Sequence, residues 1–310
     1  MLMTSSFDLV SSRDTITEIL HYDGAAALAI IIAIEGPSYR PLGATMAILD
    51  DGTRVGTLSS GCIEADIAQH ALDTLETGDP VTIRYGQGSP FFDIQLPCGG
   101  GLDILILPRP DKTVLAQLDQ QRNARVPYTL EIDVATAAMT LSEIPVTALS
   151  NGVFQAHFQP DVRFLVFGKG PEASTFSALV TSSGYPNLLL SPDAETLEEA
   201  ERFGGKTVQL TSKSIPDNVK IDPRTAVILF FHDHDWEPGI LADALATEAF
   251  YIGAQGSRRA RDARLLELEA MGVSETDRSR LFGPVGLIPS VRDAKTLAVS
   301  TLAEILAEAA

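Results

Sequence analysis

From residue 161 onward the sequence alternates short apolar runs with longer amphipathic stretches. The apolar runs have strand length and cover residues 163–167, 187–190, 206–209, 225–230 and 249–252. Amphipathic periodicity predicts helices over residues 172–183, 195–202, 237–246, 257–271 and 294–308. Strand–helix alternation sustained over about 150 residues is typical of parallel strands joined by helical crossovers. The C-terminal half is therefore predicted to form a doubly wound parallel sheet.

The preceding part of the chain is richer in strands. Predicted strands cover residues 27–34, 44–49, 54–58, 81–85, 102–107, 128–134 and 138–141, and predicted helices cover 13–22, 61–77 and 112–122. The turn Asp50-Asp51-Gly52 predicts a hairpin between the second and third strands, and Ser12 or Asp14 is the expected cap of the first helix. The fold class is therefore α/β, with an N-terminal α+β domain over residues 1–158 and a second domain over 159–310.

Charge and cysteine content limit the partners and the compartment. The chain carries 23 Lys and Arg against 41 Asp and Glu, a formal net charge of −18. The resulting field repels phosphate backbones and anionic headgroups, so no nucleic-acid and no membrane partner is expected. The N-terminus lacks a signal-peptide pattern, and the most apolar run, residues 25–34, is too short to cross a bilayer. With only two cysteines, we expect a cytoplasmic protein whose thiols stay reduced.

Both cysteines lie in glycine-rich turns. Cys62 follows Gly61 in SSGCIEADI, at the predicted start of a helix, and Cys98 precedes Gly99 in QLPCGGGLDI. A thiol at a helix N-terminus has a lowered pKa and can act as a nucleophile or as a ligand to a soft metal. Inert burial is the alternative, but glycine at both places lets backbone or ligand approach closely. We predict one site that both thiols face, within reach of Arg40 of EGPSYRPLGATM for binding an anion.

A glycine-rich loop follows the first predicted strand of the C-terminal half. In FLVFGKGPEAST, Gly168, Gly170 and Ala173 occupy the positions of a G-x-G-x-x-G/A dinucleotide-binding motif. The N–H groups at the start of the next helix can hold a phosphate. However, Glu172 adds a negative charge there, and Ser191 closes the second strand where an acid would bind a ribose. Phosphate binding and a simple packing turn both remain open, and NAD(P) binding is not expected.

The sequence HDHD follows the apolar strand 226–231. It places His232 and His234 at the strand end where open α/β sheets bind their ligands. Alternate residues of an extended segment point the same way, so the segment supplies only two metal ligands. We predict a site role for the two histidines, and a polar loop before the next helix is the alternative.

The sequence GSRRARDAR begins a predicted helix with clustered cations. Ser257 is the expected cap, and Arg258 and Arg259 lie in the first turn, where positive charge opposes the helix dipole. A bound anion, with phosphate as the first choice, would compensate for this arrangement. A solvated helix face paired with Asp262 and Glu267 is the alternative.

Taken together, these motifs resemble the XdhC/CoxI family, accessory proteins for the maturation of xanthine dehydrogenase and carbon monoxide dehydrogenase. The resemblance extends from about residue 13 to 308 and rests on ordered blocks: EGPSYRPLGATM, DDGTRVGTLSSGCIEADI, LPCGGGLDI, FGKGPEA, HDHD, GSRRARDARLLELEAMGVSE and GPVGL…LAVSTLAEILAE. The family pairs a thiol-bearing N-terminal domain with a Rossmann-like C-terminal domain. It implies binding of molybdenum cofactor (molybdopterin), protection of the cofactor during sulfuration by a cysteine desulfurase, and delivery to an apo-molybdoenzyme of the xanthine dehydrogenase type.

The departures from the family pattern fall in the nucleotide-binding part. They are Lys169, Pro171, Glu172 and Ala173 in the glycine-rich loop, Ser191, and the segment Gly286-Leu287-Ile288-Pro289-Ser290. From the resemblance we expect a non-catalytic maturation factor, a homodimer, with Cys62 and Cys98 near the metal. The phosphate is expected at the loop 168–173, with Gly168 and Gly170, or at Arg258 and Arg259. The alternatives are an NAD(P)-dependent oxidoreductase with a divergent site and a protein–protein adaptor without a ligand.

Overall fold

The computed structural model describes residues 14–59, 61–89 and 99–309. The chain divides into two compact units between Pro160 and Asp161. Within the described residues, no helix has the length and apolar character needed to cross a membrane.

The first unit is built on a five-stranded antiparallel sheet in the order β3-β2-β1-β5-β4. Its elements are α1 (Thr15–His21), β1 (Ala26–Glu35), β2 (Thr45–Leu49), β3 (Arg54–Gly56), α2 (Glu64–Thr77), β4 (Val81–Gly86), β5 (Gly101–Pro108) and α3 (Lys112–Asn123). The central strand β1 is apolar from Ala26 to Ile34 because alternate residues face two separate cores. Leu28 and Ile30 belong to one core, and Ala29 and Ile31 belong to the other.

A second, four-stranded sheet completes the first unit. It consists of β6 (Tyr128–Asp133), β7 (Met139–Ser142), β8 (Ala148–Ser150) and β9 (Val153–Phe158), in the order β7-β6-β9-β8. The sequence predicted β6 and β7 and missed β8 and β9. These two strands are mostly half-buried or exposed, so they lack an apolar run. Their signal was the turn Asn151-Gly152, in which both residues have positive φ.

The second unit is a six-stranded parallel sheet in the order β12-β11-β10-β13-β14-β15. Its elements are β10 (Arg163–Gly168), α4 (Pro171–Ser182), β11 (Asn187–Ser191), α5 (Ala194–Arg202), β12 (Thr207–Gln209), β13 (Thr225–Phe230), α6 (Glu237–Leu245), β14 (Tyr251–Ala254), α7 (Arg258–Ala270), α8 (Glu275–Ser279), β15 (Leu281–Phe282) and α9 (Ala294–Glu308). The predicted doubly wound fold is confirmed. The strand expected at 249–252 lies two residues later, and the short elements α8 and β15 were missed.

The strand order of this unit creates a crevice at one end of the sheet. Successive strands leave β10 on one side toward β11 and β12 and on the other side toward β13, β14 and β15. In open α/β sheets, ligands bind beyond the carboxyl ends of the strands at such a reversal of direction. The residues that follow β10 and β13, starting with Lys169 and Phe231, therefore border the crevice.

Candidate functional site

The loop that carries Cys62 is not helical. The helix was predicted to begin at Gly61, but α2 begins at Glu64, because Gly61 has a φ of +107° and Ile63 is the capping residue. Cys62 is exposed and its thiol is free. Cys98 lies outside the described residues, so one site shared by both thiols stays a prediction. Elsewhere in the chain, as far as the structure describes it, no group of three or more His, Cys, Asp or Glu could hold a metal ion.

Glu64 organises this loop. Its Oε1 accepts hydrogen bonds from the hydroxyl of Thr57 and from the N–H groups of Leu58 and Ser59, at 3.0 and 2.8 Å for the two N–H groups. Its Oε2 accepts from the Ser59 hydroxyl at 2.6 Å, from Gly61 N–H at 2.9 Å and from Ile63 N–H at 3.2 Å.

The pKa of Glu64 reflects this set of donors. Burial by itself raises the pKa, but the hydrogen bonds from the hydroxyls of Ser59 and Thr57 and from the N–H groups of Ser59 and Gly61 outweigh it, lowering the pKa to about 2. The carboxylate is therefore charged near neutral pH. Sequence reasoning missed Glu64. The available signal was an acid in the first turn of a helix that follows a loop rich in Ser and Thr.

The loops that carry the predicted N-terminal site residues leave the five-stranded sheet at the same edge. Pairing of Glu35 with Gly101, and of Gly101 with Gly86, puts the end of β1 beside the start of β5. The start of β2 and the end of β3 lie at this edge as well, because Met46 pairs with Gly56. Across the sheet, the end of β3 and the start of β5 are three strand spacings apart, about 14 Å. Along the strands they are also offset, because Met46, the partner of Gly56, pairs with Ala29, whereas Gly101 pairs with Glu35. Arg40, Cys62 and Gly99 therefore lie in loops from one edge.

A close backbone contact joins two of these loops. A Cβ atom on Gly100 would lie 2.1 Å from the carbonyl oxygen of Pro37, so only glycine permits this approach. Gly99, beside it, has a φ of +74° and open space around it. Arg40 is half-buried, and its N–H donates to Ser38 Oγ at 3.2 Å. Within the described chain, no acid pairs with the Arg40 guanidinium, so this cation is available to an anion.

In the second unit, the glycine-rich loop uses most of its N–H groups internally. Lys169 N–H donates to the Phe230 carbonyl at 3.1 Å, Gly170 N–H donates to Thr196 Oγ1 at 2.9 Å, and Pro171 has no N–H. A Cβ atom on Gly168 would lie 2.6 Å from the Phe230 carbonyl oxygen, so this glycine serves close packing of β10 against β13. Few donors remain at this loop for a phosphate.

Internal contacts also occupy the end of β11, where dinucleotide-binding folds hold a ribose. Ser191 is fully buried at the end of β11. Asp193 caps α5, and its Oδ2 accepts from Thr196 N–H at 3.0 Å and from Thr196 Oγ1 at 2.6 Å. These two bonds, assisted by the nearby Lys169 ammonium, lower the pKa of Asp193. Together with Trp236 and Phe231, which stack in parallel, Asp193 lines a cavity of about 560 Å³.

His232 lies beside Glu172. Its Nε2 is 3.3 Å from Glu172 Oε2, and the imidazole is exposed. His234 begins a 3₁₀ turn that leads into α6, and its side chain is not described. Glu172 thus supplies the negative charge at the N-terminus of α4 from within the chain.

The N-terminus of α7 contrasts with that of α4. Ser257 Oγ accepts from Ala260 N–H at 3.1 Å, and the first turn contains no acid. Arg258 and Arg259 are exposed, and within the described residues neither side chain has an ion-pair partner. Arg264, the last arginine of GSRRARDAR, is buried instead. It donates to Glu237 at 2.6 and 2.9 Å and to the Gln255 carbonyl at 2.5 Å.

A cavity of about 1000 Å³ opens at this helix start. It is lined by residues from the first turn of α4, from the segments that follow β13 and β14, and from the segment 284–293, including Gln255, Ser257, Arg258 and Arg292. Gln255 is 6% exposed, and its Nε2 donates to the Phe231 carbonyl at 3.3 Å. No donor to its Oε1 is present in the described part of the chain. Sequence reasoning missed Gln255, which has no motif of its own.

Comparison with known proteins finds a family match in each unit. Residues 164–305 match the XdhC Rossmann domain, and residues 20–86 match the XdhC and CoxI family. The chain is 34% identical over 284 residues to the molybdenum cofactor insertion chaperone PaoD of Escherichia coli strain K12, covering 90% of this chain and 82% of the relative. It is 24% identical over 319 residues to a protein of Bacillus subtilis strain 168 described as a probable xanthine dehydrogenase component, covering 91% and 92%.

The fold has a counterpart among solved structures. The crystal structure of a xanthine dehydrogenase from Bacillus halodurans superposes with a TM-score of 0.77 at 20% identity, covering 95% of this chain and 94% of that one. At this identity the likeness concerns the fold.

Proposed function

The chain belongs to the XdhC and CoxI family, and we propose that it binds molybdenum cofactor, protects it and inserts it into a xanthine-dehydrogenase-type molybdoenzyme. The observation that carries this proposal is the 34% identity to a molybdenum cofactor insertion chaperone over most of both chains. The cofactor is cargo in this function, and the chain itself is a carrier without a catalytic step of its own.

We assign the metal–sulfur end of the cofactor to the first unit. Molybdenum bound through sulfur is matched by soft thiolate ligands, and Cys62 is exposed and free. Cys98 is proposed as the second thiol, with Gly61 and Gly99 allowing close approach and Arg40 holding an anionic group. This assignment is supported by the shared sheet edge of these loops and by the Arg40 guanidinium, which has no acidic partner within the described chain.

We assign a phosphate of the cofactor to the N-terminus of α7. Ser257, Arg258 and Arg259 offer N–H groups and two exposed cations without an acid in the turn. Gly168 and Gly170 are the weaker choice, because the N–H groups of Lys169 and Gly170 in their loop already donate to the Phe230 carbonyl and to Thr196 Oγ1.

The cavity beside α7 supports the same assignment. Gln255 presents an acceptor without a donor among the described residues, which suits the amino or hydroxyl group of a ligand whose phosphate lies at Arg258. His232 borders both cavities and is proposed to contact the ligand, as is His234.

The remaining assignments follow from the family. We propose residues 1–158 as the thiol-bearing domain and 159–310 as the Rossmann-like domain. The proposed partners are an apo-molybdoenzyme of the xanthine dehydrogenase type, a cysteine desulfurase and a second copy of the chain, in the cytoplasm. The oxidoreductase alternative lacks support, because Ser191 offers no carboxylate to a ribose.

Delivery is tested with an apo-molybdoenzyme of this type. The chain is purified once from cells that make molybdenum cofactor and once from cells that do not, and each sample is mixed with the apo-enzyme. Hydroxylase activity should appear only with the first sample. Equal activation by both samples, or by neither, would contradict the proposed function, and purification without cofactor would favour the adaptor alternative.

A further inference from the structure

Among the described residues, Glu64 is a buried carboxylate without a cationic partner. The residue is 7% exposed, and no Lys, Arg or His of the described chain pairs with it. A carboxylate in such a position is strongly unfavourable unless hydrogen-bond donors surround it. Here all of its described donors come from the segment 57–63, so the buried charge and the conformation of this loop depend on each other.

Cys62 is hydrogen-bonded differently from its neighbours in the loop. Each other described residue of 57–63 donates directly to Glu64. Cys62 instead donates its N–H to Ser59 Oγ at 3.0 Å, and Ser59 donates that hydroxyl to Glu64 at 2.6 Å. The backbone is therefore fixed on both sides of Cys62, while the thiol stays exposed and free.

These bonds exceed what a helix start requires. An N-terminal cap satisfies one or two N–H groups of the first turn. Glu64 accepts from residues up to seven positions before it, including the hydroxyl of Thr57, which belongs to the loop and not to the helix. The two oxygens of Glu64 therefore accept hydrogen bonds mainly from the loop that carries the Cys62 thiol.

We propose, building on the function proposed above, that Glu64 is the positioning residue that fixes Cys62 for binding the metal–sulfur end of the cofactor. Ser59 is the link between the two. The carboxylate does not contact the cofactor and acts through the loop.

A matched set of variants separates this role from general support of α2. Glu64→Gln keeps the size of the side chain but places an amide donor against the donors of the loop. Glu64→Asp restores the carboxylate on a shorter stem. Ser59→Ala removes the hydroxyl that links Glu64 to Cys62, together with the bond that this hydroxyl accepts from Ile63 N–H, and keeps the carboxylate and the backbone donors. Asp66→Asn is the control, because Asp66 lies in the same turn but accepts from Tyr85 at 2.6 Å.

The first measurement is amide hydrogen exchange of the full-length chain, read by mass spectrometry on a peptide that spans 58–64. Exchange in this peptide should accelerate about tenfold in Glu64→Gln and less in Ser59→Ala, because the loop loses its acceptor. It should not change in Asp66→Asn.

The second measurement is the molybdenum retained per chain after purification from cofactor-producing cells. Glu64→Gln should lower the molybdenum retained per chain about tenfold, as expected for a residue that orients a metal ligand without contacting the metal itself. Glu64→Asp should recover part of the loss, and Asp66→Asn should match wild type. If Glu64→Gln does not fold, Ser59→Ala gives the test, with a loss in the same direction.

The outcomes are distinguishable. Wild type without molybdenum overturns the proposed function and this proposal with it. Wild type with molybdenum and Glu64→Gln with equal retention overturns this proposal alone. An equal loss in Asp66→Asn, or unchanged exchange in Glu64→Gln, also overturns it, since either result removes the special role of the carboxylate.

Discussion

Arg264 in α7 and Glu237 in α6 form a buried, bidentate ion pair. Arg264 Nε donates to Glu237 Oε2 at 2.6 Å, and Arg264 Nη2 donates to Oε1 at 2.9 Å. The Glu237 side chain is fully buried and that of Arg264 is 4% exposed. This pair fixes the start of α7, where the cavity and the two exposed arginines lie.

Removing one partner should therefore be costly. Glu237→Ala leaves the Arg264 guanidinium buried without its counter-ion, and we expect a loss of about 3–5 kcal/mol in the free energy of unfolding. Glu269→Ala is the control, because the Glu269–Arg278 pair is largely exposed on the acid side and its loss should cost less than about 1 kcal/mol. Urea unfolding followed by circular dichroism measures both, and similar losses would contradict the structural role of the buried pair.

The phosphate assignment predicts a specific response to anions. Phosphate should raise the melting temperature of the wild type in a saturable way, because it binds the folded state at Arg258 and Arg259. A non-saturable part is also expected, since phosphate is excluded from protein surfaces generally. Arg258→Ala/Arg259→Ala should lose only the saturable part.

The control for this experiment is Arg202→Ala, which removes an exposed arginine from the last turn of α5. It should respond to phosphate as the wild type does. If the double variant also responds as the wild type does, the two arginines are a solvated helix face.

The contact between Gly100 and Pro37 predicts a strong effect of one methyl group. Gly100→Ala places a Cβ within 2.1 Å of a carbonyl oxygen, so the loop before Arg40 or the segment before β5 must shift. We expect a loss of about 3 kcal/mol in the free energy of unfolding. Gly78→Ala is the control: Gly78 ends α2 at a φ of +83° in open space, so only backbone strain of about 1 kcal/mol applies. Equal losses would show that the contact is not tight.

The cap of α5 predicts a dependence of stability on pH. Hydrogen bonds from Thr196 lower the pKa of Asp193 below its usual 3.8, so the folded state binds its proton less readily than the unfolded state. The stability from this group is fully present above the unfolded pKa and is lost as pH falls through the folded pKa. Asp193→Asn keeps a capping side chain but cannot titrate. Between pH 5 and pH 2, the wild type should lose stability relative to this variant in urea unfolding, and parallel pH profiles would contradict the assignment.

Much of the fold was predictable because long apolar runs and helix caps are local signals. The apolar run 27–34 and the alternation beyond Asp161 predicted the main strands of the five-stranded and the six-stranded sheets. Strands β8 and β9 were missed because they are held by pairing, of β9 with β6 and of β8 with β9, which a sequence window does not show. The start of α2 was placed three residues early, because the bonds from Gly61 and Ile63 to Glu64 hold the loop out of the helix.

The candidate site was predictable in its residue types more than in its contacts. Glycine and cysteine spacing indicated Cys62, and clustered cations indicated Arg258. Neither spacing nor charge could show that Arg264 turns inward to Glu237, or that Gly170 N–H is taken by Thr196. Both facts depend on helices that are distant in sequence.

The content of molybdenum and pterin in the purified chain tests the central claim most directly. The chain is isolated from cells that make molybdenum cofactor, as wild type and as Cys62→Ser/Cys98→Ser, and both samples are analysed for metal and for pterin. We predict about one molybdenum and one pterin per wild-type chain, with a loss of tenfold or more in the double variant, as for removal of direct ligands. Wild type without either component, or a double variant that retains both, would contradict the account.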